Sequence, residues 1–174
     1  NQFAPTLSFT MSPVCLPESG GLVYFENTSS GKYAVTSWTW DFGDPDSGDD
    51  NNSDQEHAEH FYPGPGDWTI SLTADTENGC LAVLSVDTVL ADQPEADFTL
   101  VNDCFIKGVE TSFLDRSTSA FGNISKLTWT FKTSTGGVLG IENSNSPTDT
   151  ISYDFRSYGD YQVQLEILNE VGCK

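Results

Sequence analysis

The stretch Ser37-Trp38-Thr39-Trp40-Asp41-Phe42-Gly43-Asp44 restricts the fold of this chain more tightly than any other. Trp38, Trp40 and Phe42 fall on alternate positions, so an extended strand puts all three on one face and Ser37, Thr39 and Asp41 on the other. Each ring of this size buries roughly 150–250 Å², and three on one face call for a thick apolar layer opposite. Gly43 and Asp44 then end the run. The pattern predicts a central strand of a β-sandwich followed by an acidic turn.

The chain also repeats itself. Gly66-Asp67-Trp68-Thr69-Ile70-Ser71-Leu72 corresponds to Gly159-Asp160-Tyr161-Gln162-Val163-Gln164-Leu165, and each window runs on to Gly-Cys, at Gly79-Cys80 and Gly172-Cys173. Upstream, Cys15 precedes Phe25, Asn27 and Ser29 much as Cys104 precedes Phe113, Asp115 and Ser117, and Trp40-Asp41-Phe42 answers to Trp129-Thr130-Phe131. Self-similarity at a fixed spacing marks tandem units. The chain is therefore expected to be two copies of one module, residues 1–91 and 92–174, joined near Pro94.

Within the first copy, strands are predicted near 5–11, 21–27, 35–42, 57–62, 67–75 and 81–90. Residues 67–75 alternate cleanly, with Trp68, Ile70, Leu72 and Ala74 inward and Thr69, Ser71, Thr73 and Asp75 outward; Tyr161, Val163, Leu165 and Ile167 repeat this in the second copy. No window sustains an apolar period of 3.6. Turn formers separate the strands, among them Pro63-Gly64-Pro65-Gly66, Glu77-Asn78-Gly79 and Ser134-Thr135-Gly136-Gly137. Residues 44–56 hold Asp44, Asp46, Asp49, Asp50, Asp54 and Glu56 with no large apolar residue, and read as a mobile surface loop. The passage from Leu90 to Asp97 holds one Pro and no Gly, too short for a floppy tether.

Charge narrows the function. Seven Lys and Arg against 26 Asp and Glu leave a formal net charge of −19, which argues against nucleic acid and anionic membrane as partners. The acids either take up divalent cations or form a solvated acidic surface. No apolar run approaches the ~18–20 residues that span a bilayer, so no membrane insertion is expected.

Trp40-Asp41-Phe42-Gly43-Asp44, then His60-Phe61-Tyr62, then Gly66-Asp67-Trp68-Thr69-Ile70 resemble the signature of the PKD domain family, over most of residues 5–90. Pro45 stands where the family's motif has its final Gly. The second copy keeps Trp129, Phe131 and Gly159-Asp160-Tyr161 but replaces the acidic part of the motif with Thr130-Phe131-Lys132-Thr133. The resemblance implies an all-β fold of two tandem immunoglobulin-like sandwiches in an extracellular protein, with Trp38, Trp40, Phe42, Trp68, Trp129, Phe131 and Tyr161 in the cores. After Cys173 only Lys174 remains, whereas Cys80 is followed by the apolar run Leu81–Leu90; the second sandwich is expected to lack its final strand and the chain to be an excerpt of a longer polypeptide.

The four cysteines fall in two equivalent pairs, read as Cys15–Cys80 and Cys104–Cys173, one inside each copy. Closing such loops is worth roughly 4 kcal/mol in the chain-entropy model and implies an oxidising compartment; the alternative is four reduced thiols in a cytosolic protein. His57 and His60 would grip a metal on a helix, but on a strand they point to opposite faces. Asn27, Asp41, Asp44 and Asp46 are candidate oxygen ligands for Ca²⁺, a role that the resemblance also raises, against an unliganded loop. Nothing places two carboxylates across a cleft for glycoside cleavage, and there is no G-x-S-x-G and no P-loop. No enzyme is expected, and no cofactor is required.

These observations lead to a non-catalytic tandem module serving as spacer, stalk or adhesion region of a large cell-surface protein. Its partners would be neighbouring repeats of the same polypeptide, with protein or glycan ligands. The second reading is an accessory polysaccharide- or protein-binding module of a secreted multidomain hydrolase. A row of exposed Trp or Tyr would favour the latter, and the Trp positions are predicted inward.

Overall fold

The structure, a computed structural model, describes residues 4–101, 106, 108–146 and 150–174. The chain divides into two compact units, Asn1–Asp92 and Gln93–Lys174. The first contains β1 (Phe9–Ser12), β2 (Gly21–Asn27), β3 (Val35–Asp41), β4 (Asn52–Ser53), β5 (Ala58–Tyr62), β6 (Gly66–Thr76) and β7 (Leu81–Leu90). These form a three-stranded sheet ordered β1-β2-β5 and a four-stranded sheet ordered β4-β3-β6-β7, with every strand pair antiparallel. Alternation of side chains puts Val23 and Phe25 of β2, Trp40 of β3, Tyr62 of β5 and Ile70 and Leu72 of β6 between the sheets, where all are buried. Phe42 joins them just past β3, and Trp38 and Trp68 pack partly buried against the same core.

The second unit repeats the plan. Its strands are β8 (Phe98–Leu100), β9 (Thr111–Asp115), β10 (Ile124–Thr133), β11 (Val138–Ser144), β12 (Thr150–Tyr153) and β13 (Tyr161–Asn169), in sheets ordered β12-β9-β8 and β11-β10-β13. The correspondence extends to ring geometry. Phe9 meets Trp40 edge-on at 5.2 Å between centroids, and Phe98 meets Trp129 edge-on at 5.1 Å. Phe9–Phe25 and Phe98–Phe113 are edge-on at 6.1 and 6.0 Å. Edge-to-face contacts of this kind suit the ring quadrupole and contribute beyond buried area.

The two units part company after the central strand. In the first, β3 ends at Asp41 and the chain enters a 3₁₀ segment, Pro45–Asn51, kinked at Gly48 (φ 64°) before the short β4. In the second, β10 runs on to Thr133 and turns through Gly136 into the seven-residue β11. Among the described residues β13 pairs only with β10, whereas its counterpart β6 is paired on both sides, with β3 and β7.

The acidic stretch after Asp44 is not the mobile loop that its composition indicated. Phe42 N donates to Asn51 O at 2.9 Å, Asp44 N to Asn51 Oδ1 at 2.6 Å, and Ser47 N and Oγ both donate to Asp44 O, at 3.1 and 2.7 Å. Asn51 Nδ2 in turn donates to Asp41 Oδ1 at 3.0 Å, and Trp40 Nε1 donates to Gln55 O at 2.9 Å. Short polar side chains satisfy the backbone locally here, so the segment is ordered with almost no apolar anchor of its own.

The course of the chain through the first unit has a direction. Thr6 bridges Ser30 beside the β6–β7 turn, where Glu77 N donates to Ala34 O, and this end may be called the leading pole. The chain leaves at the opposite, trailing pole, where Ala91 bridges Cys15 in parallel: Leu16 N donates to Ala91 O at 2.8 Å and Ala91 N donates to Val14 O at 2.9 Å. The whole length of β7 separates the poles.

Trp40→Ala is expected to cost the first unit about 3–5 kcal/mol, the range for emptying a large aromatic site in a closed core. Denaturant unfolding followed by near-UV circular dichroism measures it; a loss under about 1 kcal/mol would show that Trp40 is not the centre of this core.

Candidate functional site

The ordering of the acidic loop rests on a buried pair. His60, on the inward face of β5, is 3% exposed, and Asp44 is 5% exposed. His60 Nε2 lies 3.1 Å from Asp44 Oδ2, and its Nδ1 lies 2.9 Å from the carbonyl of Asp50. Both ring nitrogens face oxygens. The ring is clamped further by stacking on Phe42 (4.7 Å, 13°) and by the edge of Tyr62 (4.6 Å, 85°). Tyr62 Oη donates to Phe42 O at 2.9 Å. Burial, then the carboxylates of Asp44 and Asp41, push the Tyr62 phenol well above the ordinary range.

The second unit dispenses with the pair. Tyr153 of β12 lies on Phe131 at 4.1 Å and 12°, as His60 lies on Phe42, and Phe155 meets Tyr153 edge-on as Tyr62 meets His60. With no acidic loop to anchor, an aromatic ring fills the place of the histidine. Trp129 Nε1, the counterpart of the Trp40 donor, is buried without a partner.

Three of the candidate calcium ligands have partners within the fold. Asp44 is committed to His60, and Asp41 Oδ1 accepts from Gly43 N at 2.9 Å and from Asn51 Nδ2. Asn27 Oδ1 accepts from Ser29 N at 2.9 Å, and Ser29 Oγ accepts from Ser8 N, so this corner pins the segment before β1 against β2. Asp115 and Ser117 repeat the arrangement: Ser117 N donates to Asp115 Oδ1 at 3.0 Å, and Asp97 N donates to Ser117 Oγ at 3.2 Å. Asp46 is exposed in the 3₁₀ segment. Among the described residues no group of three or more His, Cys, Asp or Glu could hold a metal ion. His57 and His60 do separate: His57 Nδ1 accepts from Asn27 N at 3.2 Å on the exposed side.

The expected Cys15–Cys80 link is not formed. Cys15 is disulfide-bonded, but Cys80 is a free, half-buried thiol. The poles explain it. Cys80 immediately precedes β7 and Cys15 lies level with Ala91 just beyond it, so the ten residues of β7 hold the two about 33 Å apart. A disulfide needs Cα atoms within roughly 7 Å. Cys173 is disulfide-bonded, and Cys104, its expected partner, lies outside the described residues.

Sequence reasoning missed an open groove of about 570 Å³ over the outer face of the β1-β2-β5 sheet, lined by Tyr24, Ser12, Glu26, Gln55, His57 and Glu59. The Tyr24 ring is 55% exposed, and Phe61 is 56% exposed on the neighbouring strand β5. The signal was present in the outward positions of β2 and β5, which carry large apolar side chains where alternation calls for polar ones. Trp40 and Trp129, by contrast, are fully buried.

Two antiparallel sheets, closed over an aromatic core and joined through the Asp44–His60–Tyr62 corner, define an immunoglobulin-like sandwich. Residues 18–90 match the family model of the PKD domain. The PKD1 domain of Vibrio anguillarum Epp is 24% identical, over 49% of this chain and 92% of that one, with a TM-score of 0.40. The PKD1 domain of the Vibrio cholerae metalloprotease PrtV is 23% identical, over 49% of this chain and 95% of that one, with a TM-score of 0.40. Fibronectin(III)-like modules of Clostridium thermocellum CbhA align over 98% of this chain and 88% of theirs, with 14% identity and a TM-score of 0.56, a likeness of fold. No curated protein sequence matches the chain. No helix among the described residues is long and apolar enough to cross a membrane.

Two outcomes follow for the corner. Asp44→Ala should cost the first unit about 3 kcal/mol, because a buried charge-assisted pair broken from one side strands the other group; unfolding in denaturant measures it, and an unchanged midpoint would remove the pair from the list of structural determinants. For Tyr62 the phenol is raised in the folded state, so its contribution is fully present below the unfolded value of ~10 and lost as pH climbs above that. Stability should therefore fall in alkali, more shallowly in Tyr62→Phe, as urea midpoints across pH 8–11 would report; identical profiles would contradict the shift.

Proposed function

We propose that the chain is a non-catalytic spacer of an extracellular polypeptide, two modules of a stalk that carries tension between what lies before and after them. The observation that supports this most directly is the course of the chain in the first unit, in at the leading pole and out at the trailing pole. Pulling on the two ends draws the segment at Cys15 and Leu16 toward one pole and Ala91 toward the other. The two bonds that join these segments, Leu16 N to Ala91 O and Ala91 N to Val14 O, lie across the direction of pull and are loaded in shear together. The neighbouring partners are further repeats of the same polypeptide, and a net charge of −19 keeps separate copies apart in solution.

In single-molecule pulling of the whole chain, the first unit should unfold in one cooperative event, and its rupture force should fall in Ala91→Pro, which lacks the N–H that Val14 accepts. Extension of the first unit without a resolvable force peak would overturn the reading. Forced unfolding reports the unfolding rate and not equilibrium stability, so urea midpoints of the same variant separate the two effects.

A second reading, an accessory module that contacts polysaccharide, draws support from the Tyr24 groove. An exposed ring offers a face for sugar C–H groups, and the carboxylates of Glu26 and Glu59 with the amide of Gln55 offer acceptors and donors for hydroxyls. In affinity electrophoresis through gels containing soluble β-glucan or xylan, the wild-type chain should then be retarded and Tyr24→Ala should not. Equal mobility of the two proteins in both gels would leave the spacer reading alone.

A further inference from the structure

The outer face of the β1-β2-β5 sheet carries more than the groove beside Tyr24. A second groove, of about 540 Å³, is lined by Leu22, Phe61 and Pro63 and by the acids Asp46 and Asp50 of the 3₁₀ segment. Ser53 and Glu59 line both grooves, so the two adjoin there and make one cleft. Strand register sets the spacing within it. Leu22 pairs with Phe61 and Tyr24 with Glu59, all on the outward side of β2 and β5. Phe61 and Tyr24 are therefore diagonal neighbours, roughly 7–8 Å apart, and both rings are more than half exposed. Exposed acids flank each ring: Glu26 and Glu59 line the groove with Tyr24, Asp46 and Asp50 the groove with Phe61. No Lys or Arg lines either groove, and Lys32 is the one such residue in the first unit. Apolar side chains gathered on a face that alternation reserves for polar ones mark a surface that meets a partner.

We propose that this cleft docks an extended segment of a partner protein that carries arginines on alternate positions. Guanidinium answers both features of the cleft at once: its plane stacks on an aromatic face, and its fork of donors pairs with a carboxylate. A lysine would supply only a point charge. The alternation follows from the register. Side chains two apart on an extended strand point the same way, about 6.6–6.8 Å from one another, which matches the step from Phe61 to Tyr24. One arginine lies over Tyr24 within reach of Glu26 and Glu59, and the next over Phe61 beside Asp46 and Asp50. A net charge of −19 adds long-range attraction for such a segment. The inference goes beyond the spacer reading and does not rest on it. A glycan in the same cleft would use the Tyr24 ring but leave the acids around Phe61 without a counter-charge.

The test measures binding of dye-labelled peptides to the full chain by fluorescence anisotropy in physiological salt. One peptide has arginine and threonine in strict alternation; the other has the same composition with its arginines in one block. Charge alone cannot tell them apart. The alternating peptide should bind saturably and the block peptide about fivefold more weakly, the worth of one exposed cation–π contact. Tyr24→Ala and Phe61→Ala leave the net charge as it is, and each should weaken the alternating peptide by about the same factor, as should Glu59→Gln. Asp67→Asn and Asp87→Asn, at exposed acids of the other sheet, should change it by less than about twofold. No saturable binding, equal affinity for the two peptides, no loss in either ring variant, or a loss in Asp87→Asn as large as in Glu59→Gln would each overturn the proposal. Retardation of the wild-type chain by β-glucan or xylan without peptide binding would do the same and give the cleft to glycan. Should a ring variant fail to keep the urea midpoint of the wild type, the comparison of the two peptides on the wild-type chain decides alone. None of these outcomes bears on the force peak of the first unit, so the spacer reading stands or falls separately.

Discussion

Everything in these units is arranged around the tryptophan at the middle of the central strand. Trp40 and Trp129 each sit fully buried between two sheets, and each is met by a phenylalanine from the first strand and another from the second. A ring this large fixes the distance between the sheets. It also dictates which residues of the facing strand point inward, since a slip of one residue would turn the whole set outward. Two units whose aligned residues differ at most positions reproduce the centroid distances around this ring to within a few tenths of an ångström. The contact set survives divergence because the remaining choices follow from it.

This is why the fold was legible and the loops were not. Trp38, Trp40 and Phe42 announce a buried strand face by spacing alone, and Ile70, Leu72 and Ala74 announce its neighbour. Strand bounds read from alternation fall within a residue or two of those observed for β2, β3, β5, β6 and β7. The acidic segment carried no such signal. Its order depends on Asp44 reaching His60, sixteen residues on, and on Asn51 bonding back to Asp41 and Asp44. Composition weighs each residue by its preference for water, and a carboxylate satisfied by a buried imidazole escapes that weighing. The exposed Tyr24 and Phe61 were missed for the converse reason: an apolar residue on an outward position is invisible until the face is known.

The cysteines show a different limit. The repeat correctly equates Cys80 with Cys173, since both close the same turn, but equivalence says nothing about which sulfurs meet. Loop entropy, the argument for a staple within the copy, grows only slowly with loop length and does not discriminate between partners. Direction does. Cys15 precedes a strand, β2, that starts near the trailing pole, and Cys80 precedes a strand, β7, that starts near the leading pole, so the two cysteines stand at opposite ends. Pairing is a question of which pole, and strand order along the chain answers it where spacing does not.

The second unit shows what the Asp44–His60 corner is for by doing without it. Once Asp-Phe-Gly-Asp becomes Thr130-Phe131-Lys132-Thr133, no residue ends the central strand, and β10 continues through its full pairing with β13 and on into the β11 hairpin. The histidine position becomes Tyr153, which covers Phe131 with an apolar ring and needs no counter-charge. The consequence appears at the edge. β11 holds Val138, Leu139 and Ile141 at 44–60% exposure, a surface that the first unit avoids by keeping β4 to two residues. A polar corner costs desolvation but stops the strand, folds the acids over the sheet edge and shortens the ladder that another strand could join. The aromatic replacement packs more simply and leaves that edge long. The two copies thus represent two solutions to one problem, how to end a central strand beside a buried tryptophan, and the first trades simplicity of packing for a guarded edge.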